Sequence, residues 1–241
     1  MNKISIIALG WLGNALYDSL ERQGKKVVGS FYSQPKGKKN EFFYDFKQTK
    51  LPNELLNSDV LIFNLTPSTI ESPTLFKNFL DQTKQRIIFI SSTSVYGQTG
   101  VLTEKETPIP KTQNGKLLYA CEKELLTREN STIIRPGGLY GQDRHPGKYL
   151  SGKTNISSPH AAINLISNND LIKIIEMSIK TPRYQIINAI NSNHPTKKEY
   201  YTHYCKKHGL TPPSFELESQ QKGHKIIQTI HEELVINTSL P

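Results

Sequence analysis

A chain of 241 residues is long enough to bury a core as one large domain or two small ones. It has no apolar run of roughly 18 residues, which excludes a membrane-spanning helix. Its formal net charge of +9 comes from scattered lysines with one dense cluster, Lys36-Gly37-Lys38-Lys39. No DNA- or RNA-binding module accompanies that cluster; the scattered lysines can reflect a compositional habit rather than a patch, a basic surface suits anionic small ligands equally well, and nucleic acid is not the expected partner. Two cysteines, Cys121 and Cys205, lack metal-type spacing. They read as small buried hydrophobes of a protein kept in a reducing, cytoplasmic setting, with no bound metal.

Ile4–Leu9 reads as a buried strand. It runs into a glycine turn and a helix whose Leu12, Ala15, Leu16 and Leu20 recur at three- and four-residue steps. A strand, a tight turn and a helix N-terminus make a pyrophosphate site, because unpaired amides and the helix dipole point at the anion. The full fingerprint is G-x-G-x-x-G. This chain has Ala8-Leu9-Gly10-Trp11-Leu12-Gly13, with the first glycine replaced; Ala8 suits that place only if its φ stays negative. Gly10, Trp11, Leu12 and Gly13 are the candidate pyrophosphate contacts, and a Gly-rich βα turn without a ligand is the alternative.

The second strand is Lys26–Phe31. Its end offers Ser30 but no Asp or Glu to grip a ribose 2′-hydroxyl, and three lysines follow, which leans toward NADP without excluding NAD. A short third strand, Glu41–Tyr44, ends at Asp45, a candidate for the adenine amino group or for a turn. Residues 51–56 suggest a short helix. Asp59–Pro67 reads as a buried strand whose end places Leu65 and Thr66 in a cofactor crevice. A helix over Pro73–Gln82 and a strand over Arg86–Ser91 follow. This alternation defines an α/β fold, a Rossmann-type doubly wound parallel sheet. The second half carries a strand at Thr132–Arg135, an apolar stretch Ala162–Ile166, a helix from about Asn169 to Ile179 and a strand Tyr184–Ile190. A helix over Thr196–His208 follows, its Tyr200, Tyr201 and Tyr204 read as packing residues. From Gly223 onward the pattern names no element. Residues 1–135 form the dinucleotide-binding core in this reading. Residues 136–241 hold the remaining core strands interleaved with a small C-terminal substrate-binding region.

The fifth strand runs into Ser91-Ser92-Thr93-Ser94-Val95-Tyr96-Gly97, hydroxyls placed to bond a substrate oxygen. Tyr119 and Lys123 lie one helical turn apart, a phenol able to trade a proton beside a cation that lowers its pKa. Leu117, Leu118, Cys121 and Leu125 define the apolar stripe of that helix. Tyr119 and Lys123 lie more than about 90° from its centre.

These stretches, with Arg135-Pro-Gly-Gly-Leu-Tyr-Gly141, resemble the extended short-chain dehydrogenase/reductase superfamily, in its NAD-dependent epimerase/dehydratase branch. Gly10-Trp-Leu-Gly13, Arg144-His-Pro-Gly147, Asn164-Leu-Ile and His194-Pro-Thr196 are more narrowly similar to the bacterial YeeZ-like proteins. The resemblance implies a Rossmann core, a bound NAD or NADP, and Ser92, Tyr119 and Lys123 as catalytic residues. The YeeZ-like branch also matches this helix in another register, centred on Gly115-Lys-Leu-Leu and Glu122, where Tyr-x-x-x-Lys is not required. Ser94, Arg144, His145 and Asn164 are the candidate substrate-binding residues; the cations suit a phosphate or carboxylate, and Asn164 suits a substrate hydroxyl or a backbone bend. Asp170 reads as the cap of the helix after it. The expected function is hydride transfer at a secondary alcohol or ketone, within an oxidoreductase or epimerase acting on a sugar or nucleotide sugar. The alternative is a non-catalytic NAD(P)-binding or redox-sensing protein. The partner is a small-molecule substrate, not a membrane or nucleic acid, and a homodimer is left open.

Overall fold

The computed structural model describes residues 3–48, 50–141, 143–181, 183–216 and 224–240. In chain order the first half gives β1 (Lys3–Ile7), α1 (Trp11–Arg22), β2 (Lys26–Phe31), β3 (Glu41–Phe43), α2 (Asn53–Leu56), β4 (Val60–Phe63), α3 (Pro67–Ile70), α4 (Pro73–Asp81), β5 (Arg86–Ile90), β6 (Gly100–Leu102) and α5 (Gln113–Leu125). The second half adds β7 (Ser131–Pro136), β8 (Gly138–Tyr140), β9 (Leu165–Ser167), α6 (Asn168–Lys180), β10 (Ile186–Ala189), α7 (Lys197–Lys207) and β11 (Lys225–Ile227). The chain divides into two compact units. One comprises Met1–Gly97, Pro108–Arg135 and Ile172–Ile187; the other comprises Gln98–Thr107, Pro136–Leu171 and Asn188–Pro241.

A seven-stranded sheet of order β10-β7-β5-β4-β1-β2-β3 organises the first unit. Every pair whose register is defined, from β3 across to β7, is parallel. Parallel strands carry helices on both faces, so β4 and β5 are buried along their whole length. Phe63 of β4 meets Phe76 and Phe79 of α4 with ring centroids 4.9 and 5.2 Å away, and Phe89 of β5 at 5.6 Å. Burying each such ring contributes roughly 1.5–3 kcal/mol, so this cluster fixes α4 on the sheet. The strand expected over Asp59–Pro67 stops at Phe63, because Thr66 and Pro67 open the one-turn α3 instead.

The second unit is built from two small parallel ladders, β6–β11 and β8–β9. Thr196 caps α7 in a capping box with Glu199. Tyr200 and Tyr204 of α7 are buried, as packing residues should be. Gly147 lies against the Tyr204 ring so closely that a Cβ there would fall 2.0 Å from the ring. The expected cap of α6 is corrected by one turn. That helix begins at Asn168, and the Ser167 hydroxyl accepts the Asp170 amide at 3.0 Å while donating to the Asp170 carboxylate at 2.7 Å. Gly223 lies outside the described residues. Beyond it the tail forms β11, which sequence periodicity does not reveal in a strand of three residues.

Candidate functional site

The β1–α1 junction sits where the sheet order reverses between β1 and β4, the place where doubly wound sheets open a ligand crevice. Gly10 caps α1 with no side-chain hydrogen bond, and the first turn holds no acidic residue. A Cβ on Gly10 would meet nothing within 4 Å, so the backbone here faces open space. Gly13 differs: a Cβ there would fall 2.2 Å from the Ala8 carbonyl oxygen, so only glycine lets helix and strand approach this closely. Ala8 adopts φ 76°, against the negative value its side chain prefers. The turn thus keeps the left-handed geometry a glycine would supply, at a cost of about 1–2 kcal/mol. Neighbours hold it there: Ala8 N donates to the buried Ser30 hydroxyl at 3.0 Å, and Asn64 Nδ2 donates to Ala8 O at 3.3 Å. Asn14 donates to Leu9 O at 3.1 Å. An open, uncapped helix end with a close-packed floor fits the diphosphate of a dinucleotide.

The other candidate cofactor residues fall around this cradle with different degrees of commitment. Leu12 is buried, Trp11 and Leu65 are half-buried and Thr66 is exposed. The Thr66 hydroxyl meets those of Ser68 and Thr69 at 2.9 and 3.1 Å. Asp45 accepts the Lys47 amide at 3.0 Å, the turn role weighed for it. In the lysine cluster, Lys38 is tied back to Asp18 at 2.6 Å, and the amides of Lys36 and Gly37 donate to Glu41.

After β5, Ser92 accepts the Ser94 amide at 3.1 Å and so opens a single 3-10 turn. Accepting that bond leaves the Ser92 hydroxyl proton available to donate. The Ser94 carbonyl packs on α5, where a Cβ on Gly115 would lie 2.5 Å away. Thr112 caps α5 by accepting the Gly115 amide. The buried face of α5 is Gly115, Leu118, Cys121, Glu122 and Leu125; Leu117, expected in the stripe, is only half-buried. Gly115 and Glu122 rotate the buried face about 50° toward Tyr119. Tyr119 accordingly lies half-buried at its margin while Lys123 is exposed. Lys123 Nζ stands 5.4 Å from the centre of the Tyr119 ring, over its face.

A buried polar network behind this loop escaped the sequence reading. Glu122 and Arg135 are 0% and 1% exposed. Arg135 Nη2 donates to Glu122 Oε2 at 2.7 Å and Nε to both carboxylate oxygens at 3.1 and 3.2 Å. Ser91 donates to Glu122 Oε1 at 2.5 Å, and Arg135 Nη1 to the Tyr96 hydroxyl at 2.5 Å. Burial alone would lower the Arg135 pKa, but its bond to Glu122 and that carboxylate's charge outweigh burial and raise it. The network clamps both ends of the Ser91–Tyr96 loop to α5 and β7. The only sequence signal was Arg135 at the head of its motif and Glu122 in the alternative helix register.

In the second unit, Arg144 is exposed and bridges backbone with Gly141, while His145 is half-buried with its ring centroid 6.4 Å from that of Tyr204. Asn164 takes the backbone role: its amide donates to Lys225 O at 2.9 Å and accepts from Ile227 N at 2.8 Å. Both ends of that side chain are thus committed to β11.

Strand order and the uncapped glycine turn together define a Rossmann-type α/β protein. No protein-family model matches the chain. Protein YeeZ of Escherichia coli strain K12 is 31% identical over 252 residues, covering 94% of this chain and 91% of YeeZ, and the chain belongs to the YeeZ family within that class. Among solved structures it is similar to MoeE5 in complex with UDP-glucose and NAD, with TM-score 0.81, 16% identity, and coverage of 100% of this chain and 95% of that one. The UDP-N-acetylglucosamine 4-epimerase of Bacillus cereus gives TM-score 0.78 at 17% identity, covering 100% and 95%.

Proposed function

We propose that this chain is an NAD(P)-dependent oxidoreductase or epimerase acting on a secondary alcohol or ketone of a sugar or nucleotide sugar. The observation that carries the reading is the uncapped Gly10 end of α1, where nothing stands within 4 Å of a would-be Cβ. The likeness to MoeE5 with UDP-glucose and NAD, and to a UDP-sugar epimerase, supports it. The amides of Gly10–Gly13 would hold the cofactor diphosphate, with Ser30 shaping the turn and Asp45, Leu65 and Thr66 along the crevice. When bound, the nicotinamide supplies a hydride acceptor or donor.

The chain's own residues would do the rest. Ser92 donates its hydroxyl proton to the substrate oxygen, and Ser94 stands beside it on the same turn. Tyr119 exchanges the proton that the alcohol loses or the ketone gains. The Lys123 ammonium, 5.4 Å from the centre of the Tyr119 ring, stands beside the group that exchanges the proton. Arg144 and His145 would hold an anionic portion of the substrate, such as a diphosphate. A cytoplasmic setting suits the two buried thiols, of which Cys121 is pushed up to about 12 by burial and then by Glu122 and Glu124. A homodimer belongs to the same reading.

A second reading, a non-catalytic NAD(P)-binding sensor, is favoured by the exposed position of Lys123 over the ring face of Tyr119. Incubating the protein with NAD and a panel of UDP-sugars, while following nicotinamide absorbance and epimer formation, separates the two. An enzyme should lose about 10²-fold or more in turnover on Tyr119→Phe with cofactor binding unchanged. No turnover across the panel, with cofactor still bound, favours the sensor.

A further inference from the structure

We infer that Ser91, Glu122, Arg135 and Tyr96 form a positioning device for the Ser92 hydroxyl, holding it in register with the helix that carries Tyr119. The inference rests on the proposed reaction, in which Ser92 bonds the substrate oxygen and Tyr119 exchanges the proton. Ser91 is 6% exposed and the other three are 0–1% exposed, so the four act through Ser92 rather than by touching substrate. All of them, with Ser92 and Tyr119, belong to the sheet-bearing unit.

Ser92 sits between two anchors. On its N-terminal side, the Ser91 hydroxyl donates to Glu122 Oε1 at 2.5 Å and the Ser91 amide to Ile134 O at 2.8 Å. On its C-terminal side, Tyr96 closes the 3-10 turn by donating its amide to Thr93 O at 3.1 Å, and its hydroxyl accepts from Arg135 Nη1. The Arg135 guanidinium carbon also stands 5.0 Å from the centre of the Tyr96 ring. The ion pair of Glu122 and Arg135, at 2.7 Å, joins the two anchors, so both ends of the Ser92 segment hang on one network. Glu122 lies three residues after Tyr119 on α5, and residues at that spacing are neighbours on a helix surface. The carboxylate that seats the Ser92 segment is therefore rigidly linked to the phenol assigned to the same substrate oxygen.

Stability alone does not account for this choice of residues. A buried ion pair loses in desolvation much of what it gains in attraction, and apolar groups of similar volume often serve as well or better. Directed hydrogen bonds add orientation: a carboxylate oxygen fixes where the Ser91 hydroxyl sits, whereas an apolar side chain in its place would fill space without aiming anything. Reacting groups are sensitive to that difference, since a misplacement of about 1 Å can lower turnover about 10²-fold.

The test separates position from stability. The double variant Glu122→Leu/Arg135→Met and the single variant Ser91→Ala are each made with and without Ser92→Ala. Melting temperature, coenzyme affinity, kcat and KM are measured on the sugar that the UDP-sugar panel yields as substrate. The double variant should melt near the parent and keep KM and coenzyme Kd within about twofold, yet lose about tenfold or more in kcat. Ser91→Ala leaves the ion pair intact and carries the same test independently, with kcat falling in the same direction. Where Ser92→Ala is already present, neither change should lower kcat further, because a residue that acts through Ser92 has nothing left to position. A purely structural role would instead return kcat together with the melting temperature. Parental kcat in the double variant or in Ser91→Ala, or a full further loss on top of Ser92→Ala, would overturn the inference while the proposed reaction stands. A parent that binds coenzyme but turns over no sugar removes the reading beneath it, and the inference falls with that reading.

Discussion

Replacing Glu122 by alanine removes the carboxylate at the centre of the buried network. Arg135, 1% exposed, would keep its guanidinium but lose three hydrogen bonds from Nε and Nη2. Ser91 would lose its acceptor as well. Removing one partner of a buried ion pair costs about 3–5 kcal/mol, because the remaining charge cannot reach water. Against a typical total of roughly 5–15 kcal/mol, that is a large share of the stability. Urea unfolding of the parent and variant, followed by circular dichroism, measures the difference. The double variant Glu122→Leu/Arg135→Met should recover most of the loss, since apolar groups of similar volume often replace a buried pair at little cost. A single-variant loss below about 1 kcal/mol, or a double variant as unstable as the two single losses added together, would refute the reasoning.

Other perturbations bear on the same unit and its neighbour. Ala8→Gly relieves a positive φ and adds chain entropy to the unfolded state, so stability should hold or rise by up to about 1 kcal/mol in the same urea assay. Gly13→Ala drives a Cβ against the Ala8 carbonyl; it should cost about 1–3 kcal/mol and weaken dinucleotide binding at least about tenfold by calorimetry. Burial pulls the His194 pKa below its ordinary value, a backbone contact at Ile163 opposing it only in part. Its folded pKa is then lower than its unfolded one, so the unfolded chain binds more protons in acid. Stability should be level above about pH 6.5 and fall as the pH drops from there toward the folded pKa. His194→Gln should flatten that part of a melting-temperature profile, and an unchanged slope would contradict the assignment.

Local patterns carried the sheet, and long-range pairings did not. Buried parallel strands announce themselves as continuous apolar runs, so β1, β4 and β5 were legible to within a few residues. Gly10 and Gly13 were readable because their spacing is set by the turn itself. The φ of Ala8 was not, since Ser30 and Asn64, distant in sequence, impose it. Glu122 and Arg135 look like surface charges in any window of sequence; only the fold, which brings Ser91, Tyr96, α5 and β7 together, shows them buried. Asn164 was legible as a bend residue but not as the clasp of a strand about sixty positions later. The α5 stripe was misphased because glycine and glutamate, scored as non-core residues, both face inward.

The central claim is that the β1–α1 junction grips a dinucleotide diphosphate through its main chain. Isothermal titration calorimetry of the full chain with NAD and NADP in both redox forms tests it most directly, with Gly13→Ala as the paired sample. At least one coenzyme should bind with Kd below about 100 μM, close to −5.5 kcal/mol, and the variant should bind it at least about tenfold more weakly. Lack of binding by all four at millimolar concentration, or equal affinity in the Gly13→Ala protein, would contradict it.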